Sequence, residues 1–80
     1  MFGYELKSKT RKETIDEILS IIDDEIKDLK KLRDEYYVQI EGYAHSKDVY
    51  QASYAMSRVE QLNDRIDGID RVRQVIIFNM

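Results

Sequence analysis

Eighty residues make at most one domain, and a chain this short buries only a modest share of its surface. Apolar residues at 42% argue for a folded chain despite 36% charged residues, and the absence of cysteine removes disulfides, thiolate metal sites and cysteine nucleophiles together. Thirteen basic against sixteen acidic residues give a net charge of -3, the wrong sign for the usual nucleic-acid footprint, and no apolar run approaches a membrane span or a signal-peptide core.

Residues 1–9 form an N-terminal segment in which Phe2, Tyr4 and Leu6 precede the basic cluster Lys7, Lys9, Arg11 and Lys12, read as a solvated helix start. Proline is absent and glycine occurs three times, so long helices are the default. A first helix is predicted over 10–41. Thr10 and Glu13 have capping-box spacing, and Ile15, Ile22, Leu29, Tyr36 and Tyr43 recur every seven residues, with Ile18, Leu19, Ile26, Leu32 and Ile40 beside them. Gly42 offers the left-handed conformation that commonly ends a helix, which places a turn at 42–46.

A second helix is predicted over 47–77, entered from Ser46 as N-cap with Asp48 in its first turn, and followed by a tail at 78–80. Ala52, Ala55, Val59, Leu62, Ile66 and Ile69 keep three-four spacing, which Val72 and Ile76 continue with one irregular step. Folding the chain at Ala44 sets residues whose numbers sum to 88 opposite one another, among them Ile22 with Ile66, Ile26 with Leu62, Leu29 with Val59 and Leu32 with Met56. The fold class that follows is all-α, an antiparallel two-helix hairpin of coiled-coil type.

The first helix carries more apolar surface than one partner helix can cover, and both chain ends are apolar. Ile15, Ile18, Ile21, Val75, Ile76 and Phe78 are therefore candidate self-association residues, with two hairpins expected to join as a four-helix bundle. The alternatives are a fold-over of the N-terminal segment, or a short strand pairing of Val75–Phe78 with Phe2–Leu6. At the opposite end, Tyr37, Tyr43, His45, Tyr50 and Tyr54 gather near the turn and form a candidate contact site for another protein, since tyrosine offers a large apolar body with a polar tip.

Catalytic chemistry has little to stand on. The single histidine lies in the turn, no Glu-x-x-His pair is present, and no glycine-rich phosphate loop occurs. No catalytic, cofactor or metal residues are assigned. Residues 10–41 hold ten acids against six bases and 47–77 five against five, a mild asymmetry that suits a solvated face better than mimicry of a nucleic acid. The expected function is a non-enzymatic interaction module, a small cytoplasmic homodimer that binds a larger protein as adaptor or inhibitor. A structural spacer or assembly subunit is the alternative, with a nucleic-acid mimic or binder behind it. The size and composition suit an accessory protein of a phage or other mobile element.

Overall fold

The computed structural model describes residues 10–79, which form two helices, α1 (Arg11–His45) and α2 (Val49–Phe78), packed side by side. At about 1.5 Å per residue they run roughly 52 and 45 Å. Thr10 caps α1 as its spacing predicts: its backbone is extended and its hydroxyl accepts from the Glu13 N–H at 3.1 Å. No strand occurs among the described residues. Val75–Phe78 is the last turn of α2, which corrects the strand alternative, and Phe2–Leu6 lies outside the described residues.

The turn falls later than Gly42. Helix α1 continues through Gly42 to His45, and the residue in the left-handed region is Lys47, with φ 56°. The Asp48 N–H reaches back to the Tyr43 carbonyl at 2.9 Å and the Lys47 N–H to the Ala44 carbonyl at 3.2 Å, the paired closure of a Schellman ending. Ser46 belongs to this ending rather than to the next helix, since its hydroxyl donates to the Gly42 and Tyr43 carbonyls. Asp48 takes the N-cap role for α2, its carboxylate accepting from the Gln51 N–H at 3.1 Å. The helix runs past Gly42 because α1 must reach Tyr43 to place Ile40 and Tyr43, both half-buried, in the seam.

The buried positions and most of the half-buried ones follow one unbroken heptad stripe on each helix, with Arg58 and Asn63 half-buried beside it. On α1 it runs Ile15, Leu19, Ile22, Ile26, Leu29, Arg33, Tyr36, Ile40, Tyr43; on α2 it runs Ala52, Ala55, Val59, Leu62, Ile66, Ile69, Arg73, Ile76. Three expected members are displaced. Leu32 and Met56 are exposed, and the place of Leu32 in the seam is taken by Arg33; Val72 is exposed too, and Arg73 takes its step. The irregular step in the apolar pattern of α2 disappears once the arginine is counted. Leu29, Leu62 and Ile66 form the centre of the core, with Ile26, Tyr36 and Ile69 packed against them.

Hydrogen bonds from the two seam arginines mark the register. Arg73 Nε donates to Asp23 Oδ1 at 2.7 Å, and Arg33 Nη1 donates to Asn63 Oδ1 at 3.2 Å; both pairs sum to 96. The helices are thus offset by about one heptad from the sum of 88 that a fold at Ala44 produces. Such a slide moves one helix about 10 Å along the other and brings equivalent heptad positions together again, so apolar pairing alone could not have exposed the difference.

Two measurements check these points. Gly42 is helical, and a Cβ added to it would meet nothing within 4 Å, so Gly42→Ala is expected to stabilise the chain by about 0.5–1 kcal/mol in urea unfolding. A loss of stability would place Gly42 in a left-handed cap instead. Because the chain has no cysteine, register can be read by cross-linking. The pair Ile26→Cys with Ile69→Cys is expected to form a disulfide readily, and Ile26→Cys with Leu62→Cys to form one slowly or not at all.

Candidate interaction surfaces

An antiparallel helix pair has two flanks, one on either side of its seam, and in this hairpin they differ in chemistry. On one flank, the positions just before the seam residues bring Ile18, Ile21 and Glu25 of α1 beside Arg65, Gly68, Val72 and Val75 of α2; the Glu25–Arg65 ion pair at 3.8 Å marks the shared side. Ile18 is 41% exposed, Ile21 67%, Val72 54% and Val75 60%. The other flank carries Asp23, Lys30 and Asp34 of α1 facing Asn63, Asp67 and Asp70 of α2, and both seam arginines direct their hydrogen bonds to it. The hairpin therefore has one apolar flank, near the open end, and one charged flank.

The six candidate self-association residues divide accordingly. Ile15 and Ile76 are half-buried in the seam of the single hairpin, and Ile18, Ile21 and Val75 lie on the apolar flank. Phe78 is almost fully exposed at the last residue of α2. Val72, read from sequence as a seam residue, joins this flank. The signal that could have moved it was the three-four spacing itself, which selects Arg73 when residue polarity is ignored.

The tyrosines near the turn do not form one patch. Tyr43 is half-buried in the seam, and Tyr37 lies on the charged flank with its ring centroid 6.0 Å from the Arg33 guanidinium carbon. Tyr50 is 90% exposed in the first turn of α2, pointing away from the seam, and Tyr54 is exposed one turn further on. Arg58 lies near Tyr36 and Tyr54 but has no such link to Tyr50: a hydrogen bond with Tyr36, then electrostatic interaction with Tyr36 and Tyr54, hold its guanidinium above the ordinary arginine value. His45 is exposed at the end of α1. Between these groups the tip holds a shallow depression of about 370 Å³, lined by Tyr43, Ala44, Val49, Ala52 and Met56 among others. Val49 and Met56, both exposed, are tip residues that the sequence reading missed because it assigned Met56 to the seam and gave Val49 no role.

No known protein family, curated protein or solved structure matches this chain. Function is therefore argued from these surfaces alone. Among the described residues no helix is long and apolar enough to cross a membrane, and no group of three or more His, Cys, Asp or Glu is placed to hold a metal ion.

Because Tyr37, Tyr50 and Tyr54 are exposed, replacing all three by serine is expected to leave the helical circular-dichroism signal unchanged and to lower stability by no more than about 1 kcal/mol, part of it from the lost Arg33–Tyr37 contact. A large loss would make them part of the hairpin's own packing.

Proposed function

We propose that this chain is a non-enzymatic interaction module, a helical hairpin that pairs with a second copy and docks on a larger protein whose activity it modulates or inhibits. The observation that carries the reading is the apolar flank: Ile18, Ile21, Val72 and Val75 stand in solvent on the side of the hairpin where neither helix can cover them. Among the described residues five, Leu29, Ala55, Val59, Leu62 and Ile66, are buried within the hairpin, so association would add to a thin core. The exposed Tyr37, Tyr50 and Tyr54 at the other end supply large rings with polar tips suited to recognition of a different surface. A cytoplasmic setting, and the role of an adaptor or inhibitor, belong to the same proposal.

The second reading, a spacer or assembly subunit, is favoured by the same flank acting alone, with the tyrosines idle. Two measurements separate them. Light scattering at tens of micromolar is expected to return about twice the 9.6 kDa chain mass; a monodisperse monomer removes the paired form. Affinity capture from the native cell with the wild-type chain and with the Tyr37, Tyr50 and Tyr54 serine variant then tests the tip. Loss of a captured protein with unchanged helicity supports docking there, and equal capture by both favours the assembly role.

A further inference from the structure

We propose that Gly68 is the contact point at which a second copy of this chain packs against the apolar flank, its helix lying close over α2 where the side chain is missing. The inference rests on the self-association proposed above and adds the face and the residue through which it occurs.

Gly68 is unexplained by the hairpin itself. It lies inside the 30-residue helix α2, where glycine is less favourable than any residue except proline. Its φ is not positive, so no turn or cap requires it, and a Cβ built there would meet nothing within 4 Å, so no intrachain packing requires it either. The space above it is open in the single hairpin. The helical spacing puts Gly68 in line with Arg65 one turn before and with Val72 and Val75 one and two turns after, which is the apolar flank and no other. A backbone without a side chain, set among exposed branched residues, lets a neighbouring helix approach closely and lets those residues interlock around it.

Two further features favour a second copy over a different partner. The exposed parts of Ile18, Ile21, Val72 and Val75 provide roughly half of the ~800 Å² that a standard interface buries per partner, the apolar centre of an interface with a polar rim. That rim is self-complementary. Glu25 and Arg65 stand on the same flank with opposite charges, 47% and 67% exposed and only loosely paired. Under a twofold axis running along the helices, α1 of each copy faces α2 of the other and Glu25 stands opposite Arg65, so the charges match without any foreign residue.

The test uses the full chain with Gly68→Gln, Gly68→Ala and, as a control on the outer face of the same helix, Asp64→Gln, followed by sedimentation equilibrium and circular dichroism. Gly68→Gln is expected to raise the dimer dissociation constant at least tenfold, and Gly68→Ala by a smaller factor. At concentrations where each chain is monomeric, both should keep or increase helicity, and Asp64→Gln should leave the dissociation constant within twofold of wild type. A Gly68→Gln variant that dimerises like wild type, while wild type is dimeric, overturns the contact and leaves self-association standing. A wild-type chain that stays monomeric at tens of micromolar overturns both. Loss of helicity in Gly68→Gln and Gly68→Ala alike also overturns the inference, because the glycine would then serve the hairpin.

Discussion

Sliding one helix of an antiparallel pair past the other by seven residues brings equivalent heptad positions back into contact, so apolar burial alone leaves several registers close in energy. In this hairpin the degeneracy is broken by polar residues within the stripe. Arg33 and Arg73 occupy seam positions, and each meets a partner on the opposite helix, Asn63 and Asp23, at one register. A slide by one heptad would leave both guanidinium groups half-covered and facing different neighbours. The Schellman ending at Lys47 acts in the same direction, because a turn of fixed length ties the two stripes together at one point.

This division of labour explains which parts of the fold were legible in the sequence. The heptad of Ile15, Ile22, Leu29, Tyr36 and Tyr43 identifies α1, and the three-four spacing from Ala52 to Ile69 identifies α2, because burial demands apolar residues there and nothing competes. The register was not legible, since it rests on two arginines that an apolar reading passes over. The turn was ambiguous for a different reason. Gly42 is the residue that backbone freedom favours for a helix end, yet the seam positions Ile40 and Tyr43 carry the helix past it to a left-handed Lys47. Local propensity is outweighed here by a seam that extends another heptad step.

The same arginines shape the outer surfaces. By turning their hydrogen bonds to one side, they make that flank wet and charged, and they leave the opposite flank to isoleucine and valine. The asymmetry was legible only in part. Ile18, Ile21 and Val75 are visible as apolar residues in excess of the seam, whereas Val72 and the vacancy above Gly68 emerge only when the helices are set in register. At the tip, the tyrosines are distributed by the same logic: Tyr37 follows Arg33 to the charged flank and Tyr54 stays near Arg58. The aromatic residues near the turn are thus divided among several directions.

A hairpin closed by one turn also has a direction of assembly. The Arg33–Asn63 contact joins residues 30 apart in the chain and the Asp23–Arg73 contact residues 50 apart, so the seam forms most readily from Lys47 outward, each layer building on the one before. Ile18, Ile21, Val72 and Val75 belong to the last layers to zip and the first to fray. Their shared surface exists only while α1 and α2 lie side by side at the far end. A chain still closing cannot present it, so the pairing proposed on that flank would select fully folded copies and, once made, would hold shut the end that loop entropy leaves weakest.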